Sequence, residues 1–206
     1  MIEDFINIIQ IILYSIFVFC SARRAFYSRK SEWELLTFFF CAIFLGELYW
    51  GMVVYFYDRN PVSYISELSW YSAYLFLLLT LISLESREMK KSRRLLAALS
   101  FVFTGGMCIF FMKWGDYGSN IISAVLMGLI IWHSLNGLIY IRGKEDQNKR
   151  PFYIASFVFC VLEYALWTSS CFWMGDTLLN PYFWFEMMMP LSFLFLYKAF
   201  KRAVGE

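Results

Sequence analysis

Seven apolar runs, at 5–22, 35–57, 64–84, 95–113, 119–141, 152–173 and 182–200, alternate with short polar breaks along this chain. Each run comes close to the roughly 20 residues that an α-helix needs to cross the hydrocarbon of a bilayer. Backbone amides in hydrocarbon have no water to bond, so a run of this length satisfies itself by becoming a helix. The pattern predicts an all-α bundle of seven transmembrane helices. Breaks of five to twelve residues leave no room for a soluble domain between the spans.

Composition agrees with the pattern. The chain is 60% hydrophobic and 22% aromatic but only 17% charged, whereas a soluble domain is about half apolar and a quarter charged. It reads as an integral membrane protein of a plasma or inner membrane, with lipid as its constant partner and no nucleic acid. Charge then gives the orientation. Sixteen of the eighteen Lys and Arg residues fall on one side of a seven-span topology. They are Arg23, Arg24, Arg29 and Lys30; Arg87, Lys90, Lys91, Arg93 and Arg94; Arg142, Lys144, Lys149 and Arg150; and Lys198, Lys201 and Arg202. Only Arg59 and Lys113 fall on the other. The positive-inside rule places the basic side in the cytoplasm, with the N-terminus outside and the C-terminus in the cytoplasm. The first run is preceded by Glu3 and Asp4 and followed by Arg23-Arg24 in place of a cleavage site, so it reads as a retained span rather than a signal peptide.

The polar positions repeat. Asn7-Ile8-Ile9 opens the first run and Asn120-Ile121-Ile122 the fifth, with Ser21, Tyr27 and Arg29 matching Ser134, Tyr140 and Arg142 at the same offset. The second and sixth runs carry Glu47 with Trp50 and Glu163 with Trp167; each is followed by an Asn-Pro pair, Asn60-Pro61 and Asn180-Pro181. The third and seventh then carry Glu67 and Glu186. The reading is a single transmembrane domain of two pseudo-repeats, 1–94 and 119–206, joined by a linker helix at 95–113. Three spans, an odd linker span and three more give a parallel repeat about an axis along the membrane normal. This layout resembles the SWEET sugar transporters and the PnuC vitamin transporters, which are built three-one-three. The resemblance lies in the plan of the helices and carries over no site residue; Pro61, Pro151 and Pro181 stand at helix starts and only Pro190 lies within a run.

Four glutamates inside apolar runs are the strongest chemical signal. A charge at the bilayer centre costs about 2.5–3.5 kcal/mol on insertion scales, so each carboxyl needs a partner, a water-filled cavity or a proton. Glu47 and Glu163 lie near mid-run; Glu67 and Glu186 lie in the first turns after a proline, where a plain helix-dipole role competes. Glu47-Leu-Tyr-Trp50 and Glu67-Leu-Ser-Trp70 share a Glu-Leu-x-Trp pattern, and i,i+3 spacing predicts each carboxylate beside the tryptophan of its own helix. The candidate substrate-binding set is Glu47, Trp50, Glu67, Trp70, Glu163, Trp167 and Glu186. Carboxylates among aromatic rings suit a cationic or an aromatic small molecule.

Other polar residues have plainer readings. Asn7, Gln10, Asn120, Ser123, Ser134, Asn136 and Ser156 read as hydrogen-bond links between helices. Gly46, Gly51, Gly105 and Gly106 read as sites of close packing, and Asp58, Asp116 and Asp176 as solvated loop residues. Cys20, Cys41, Cys108, Cys160 and Cys171 have no C-x-x-C spacing and read as small hydrophobes. His133, the single histidine, reads as a packing residue. Its solitude excludes a pair of haem-ligating histidines and a three-histidine metal site, and no G-x-S-x-G or paired G-x-G-D motif accompanies it. No catalytic, metal or cofactor set follows. Three functional readings stand in order: a small transporter or solute-binding protein with its site between the halves; a seven-helix sensor or subunit acting through a protein partner or as a homo-oligomer; and an intramembrane enzyme acting on a lipid.

Overall fold

Helices begin and stop where the sequence supplies caps and turns. The computed structural model describes residues 2–57, 63–91, 95–142, 147–173, 175 and 177–205, and all regular structure among them is helical. The elements are α1 (Ile2–Ser28), α2 (Ser31–Tyr57), α3 (Ser63–Leu84), the single turn α4 (Arg87–Lys91), α5 (Leu99–Phe111), α6 (Tyr117–Ile141), α7 (Arg150–Phe172) and α8 (Pro181–Ala203). Single 3₁₀ turns at Leu95–Ala98 and Gln147–Lys149 lead into α5 and α7. Arg29 takes the left-handed conformation (φ 53°) that ends α1 and returns the chain into α2 within two residues. Asp116, expected as a solvated loop residue, caps α6 by accepting from the Ser119 N–H at 3.0 Å. Of the sequence patterns, Asp58, Arg59, Asn60-Pro61, Arg93, Arg94, Lys144 and Asp176 lie outside the described residues.

Five of these helices (α1, α2, α3, α6 and α7) are both long and apolar enough to cross a membrane. The remaining two long elements differ from the expectation of seven equal spans. α8 has 23 residues, but its tyrosines, Glu186 and terminal Lys and Arg dilute its apolar character. α5 is apolar but short: the run at 95–113 forms only 13 residues of α-helix, about 20 Å of rise against a hydrocarbon core of about 30 Å.

Side-by-side contacts run α1–α2–α3–α6–α7–α8 and close through α8–α1, so six helices form a ring, and α5 packs outside it on α6. The ring encloses an aromatic core. Phe17, Phe39, Phe40 and Phe159 all lie within 6.4 Å, centroid to centroid, of Phe193. Offset and edge-to-face aromatic pairs of this kind add about 0.5–1.5 kcal/mol each beyond area burial. Outside, Phe19, Val102, Ile109, Val125, Val161 and Leu191 are exposed, an apolar surface suited to lipid.

The expected close packing at glycine is real at some positions and misplaced at others. A Cβ on Gly137 would lie 2.6 Å from the fully buried Tyr153 ring, and one on Gly128 would lie 2.8 Å from Thr104 Oγ1 of α5. Gly46 and Gly51 abut Trp70 and Ile11, but Gly105 and Gly106 face nothing within 4 Å. Gly137→Ala is therefore expected to lower the thermal midpoint in detergent through an overpacking cost of about 1–3 kcal/mol. Gly105→Ala and Gly106→Ala should leave it level or higher, because alanine is the better helix former. Tryptophan-fluorescence melts of the three variants check this; equal midpoints would remove the tight Gly137–Tyr153 contact.

Candidate solute-binding cavity

The cavity is assembled from the start of α8. Asn180 Oδ1 accepts from the Tyr182 N–H at 3.0 Å and its Nδ2 donates to the Gly175 carbonyl at 3.0 Å, with Pro181 at the first helical position. Neither Glu186 nor Glu67 caps a described helix end; Glu186 instead points inward and is buried. Four residues further on, Pro190 has no N–H to give to the Glu186 carbonyl, the partner it would have in an unbroken helix. Gln10 of α1 repairs the loss, its Nε2 donating to that carbonyl at 2.9 Å. Asn7 and Tyr14, on the same face of α1 as Gln10 by their i−3 and i+4 spacing, are thereby brought to the α8 wall.

Two further carboxyls arrive from α2 and α7, and α3 holds both. Gly46 leaves room for Trp70, whose indole N–H donates to Glu47. One turn along the same face, the Tyr74 hydroxyl donates to Glu163. The carboxyls of Glu47 and Glu163 lie within electrostatic reach of each other, and those of Glu47, Glu163 and Glu186 all lie within reach of the Tyr14 phenol. Trp50, three residues on, lines the same space as Glu47, and the hydrogen-bonding tryptophan Trp70 is added from the neighbouring helix.

These residues enclose a cavity of about 270 Å³. Glu47, Trp50, Trp70, Glu163, Trp167 and Glu186 line it with Asn7, Gln10, Tyr14, Tyr74, Ser170 and Tyr182, so six of the seven candidate residues meet in one space. Phe193 forms its floor, and the phenylalanine core lies beyond, toward the end of the bundle that carries the basic turns. Among the described residues its lining holds no Lys, Arg or His. Volumes of about 300–1,000 Å³ hold drug-sized ligands, so this space suits a smaller molecule.

Glu67 stands apart. Ser119 Oγ donates to its carboxylate at 2.6 Å, with the Tyr71 hydroxyl at 3.5 Å. It lines a second, more open cavity of about 310 Å³ with Asp116, Asn120 and Ser123. Trp70, Tyr74, Trp167 and Ser170 belong to the walls of both cavities and form the partition between them.

One polar pair escaped the sequence reading. His133 Nδ1 lies 2.6 Å from Glu85 Oε1, with side-chain exposures of 13% and 4%. His133 is therefore a partnered residue rather than a packing one, held in a separate recess with Lys90 and Asn136. Glu85 gave no signal, since it follows the third run among ordinary loop charges. The supposed hydrogen-bond links divide likewise. Gln10 and Asn120 do bond between elements, Asn120 Nδ2 donating to the Phe111 carbonyl at 3.1 Å. Ser156 bonds within its own helix, and the buried Ser134 hydroxyl has no partner.

The Gln10–Pro190 repair makes a quantitative expectation. Gln10→Leu should destabilise the protein by about 1–3 kcal/mol, the cost of a buried acceptor left bare. In a Pro190→Ala background, where residue 190 has its own N–H, the same change should cost far less. A double-mutant cycle of detergent unfolding curves reads the difference; simple additivity would mean the side chain does not replace the missing helix bond.

No protein-family model, curated protein or solved structure matches the chain, so what this cavity does has to be argued from its own geometry.

Proposed function

We propose that the chain is a small integral membrane transporter or solute-binding protein whose solute occupies the cavity between α1, α2, α3, α7 and α8. One observation carries this reading: three carboxyls from three helices are turned toward one shared volume walled by aromatic rings. Glu47 and Glu163 each have a donor on α3 yet still line the open volume, whereas a carboxyl retained for packing alone would be closed off from any cavity. Ionisable groups that face a common intramembrane cavity mark a ligand or ion path.

The finer architecture belongs to the same proposal. Seven helices span the membrane, α5 and α8 included, with the basic turns in the cytoplasm. The cavity then opens outward, and the Phe193 cluster closes it from the cytoplasm. Contacts around the ring support two related halves. α1–α2–α3 and α6–α7–α8 follow the same order, the α3–α6 seam answers the α8–α1 seam, and α5 stands outside. A two-fold axis along the membrane normal would carry Asn7, Gln10 and Glu186 onto Asn120, Ser123 and Glu67, which makes the second cavity the counterpart of the first. Transport in such a design is a rocking of one half against the other about the shared site.

Two measurements test the proposal. In a cysteine-free background, a membrane-impermeant maleimide applied to intact cells should label Tyr117→Cys but not Arg87→Cys or Lys149→Cys; the reverse pattern overturns the orientation. In uncharged detergent, a thermal-shift screen of small cationic, neutral and anionic solutes should find at least one that raises the unfolding midpoint, by about 2.7 kcal/mol of linkage at a hundred times its Kd. Proteoliposomes should take up or exchange that solute, or retain it at the site if the protein only binds. Glu47→Gln and Glu163→Gln should fold normally and weaken binding about tenfold or more. A screen with no hit, or full affinity in both variants, removes the reading.

A further inference from the structure

We propose that the solute of this cavity is a small organic cation bearing a protonated amino group, an inference that rests on the solute-binding reading above. The charge of the wall is the first reason. Three carboxyls face the space and, among the described residues, its lining contains no Lys, Arg or His to supply the opposite charge. An anionic solute would be repelled, and a neutral one would desolvate the carboxyls without balancing them. A cation inside the space does both at once.

The size of the counter-charge is the second reason. Among the described residues no three His, Cys, Asp or Glu side chains converge closely enough to hold a metal ion. The carboxyls are near enough to act on the Tyr14 phenol in common but not to close on one point. No single small ion meets all three, so a bound counter-charge that does sits on a body of molecular size, taking the place of the protons the carboxyls otherwise carry. The cavity of about 270 Å³ lies just below the range of about 300–1,000 Å³ that holds drug-sized ligands, which fits a compact amine. Trp50, Trp70, Tyr74 and Trp167 supply ring faces for its charge and its carbon skeleton.

The third reason selects an amine with N–H groups over a fully alkylated ammonium. Asn7 lines the cavity and is 7% exposed. Among the described residues no hydrogen bond to its side chain is found. A buried amide in this position has its donor and acceptor capacity unspent. An ammonium group has three N–H donors and no acceptor. Those donors match the carboxyl oxygens and the Asn7 Oδ1, whereas a trimethylated nitrogen offers nothing to Asn7.

The test uses the full-length protein in uncharged maltoside micelles. Butylamine, putrescine and phenethylamine are each titrated beside the N-acetyl isostere, the trimethylammonium analogue and a carboxylate of matched size, with magnesium chloride as an inorganic control. Binding is read by isothermal titration calorimetry and by thermal shift. At least one primary amine should bind about tenfold or more tightly than its N-acetyl isostere, with the carboxylate and magnesium silent. Glu163→Gln and Glu47→Gln should weaken the amine about tenfold. Asn7→Ala should weaken the primary amine severalfold and leave the trimethylammonium analogue unchanged. If no amine outbinds its neutral isostere, or both Gln variants keep amine affinity, the cation assignment is overturned. Ser170→Trp, which adds bulk at the cavity wall, separates the two ideas. Neutral or anionic solutes whose binding it abolishes would keep a solute site and refute the cation; no binding by any class would remove both.

Discussion

A helix packed in an apolar bundle must account for every buried backbone carbonyl, and α8 breaks that rule at Pro190. The carbonyl of Glu186 loses its helical donor there, and the side chain of Gln10, 176 positions away along the chain, supplies another. This bond ties the first helix to the last. It closes the ring, sets the depth of Asn7 and Tyr14 against Glu186, and lets Tyr14 and Phe17 pack on Phe193 at 5.2 and 6.4 Å. A buried backbone acceptor left bare costs about 1–3 kcal/mol, so the seam is fixed by the chemistry of one amide more than by general stickiness.

Across the ring, α3 is the strut that makes two buried carboxyls tolerable. Trp70 and Tyr74 stand one turn apart and give one donor each to Glu47 on α2 and Glu163 on α7. Both are rings, so the same two residues that satisfy the carboxyls also wall the cavity and separate it from the recess around Glu67. Satisfaction of charge and enclosure of space are therefore not independent properties of this bundle. Removing either ring would uncover a carboxyl and join two compartments.

The helical class and the helix positions are legible in the apolar runs, because span length and backbone self-satisfaction are local demands. The inward glutamates are legible for a related reason: a carboxyl in an apolar run is conspicuous whatever surrounds it. What could not be read is which partner each residue meets. Glu-Leu-x-Trp places Glu47 and Trp50 on one wall, but nothing in the spacing says that Trp70 of α3 is the donor to Glu47, since the helix seam decides that contact. Glu85 and His133 are ordinary in their own segments and meet only because α3 lies beside α6. The fourth run has the composition of a span but yields a 13-residue helix, because its first residues form a 3₁₀ turn. Glycines likewise mark close packing at 128 and 137, where another element presses in, and not at 105 and 106, which face open space.

Positions 10 and 190 also form a single unit of inheritance. A proline within α8 is tolerable only while a donor on α1 faces the carbonyl it strands, and the Gln10 amide has that task only while the proline is present. Among descendants of this chain, loss of the glutamine first would leave a buried carbonyl bare, whereas loss of the proline first would merely free an amide. Substitution should therefore run in one order, proline before glutamine. Lineages that keep the proline should keep a side-chain donor at position 10, however freely the surrounding apolar residues drift.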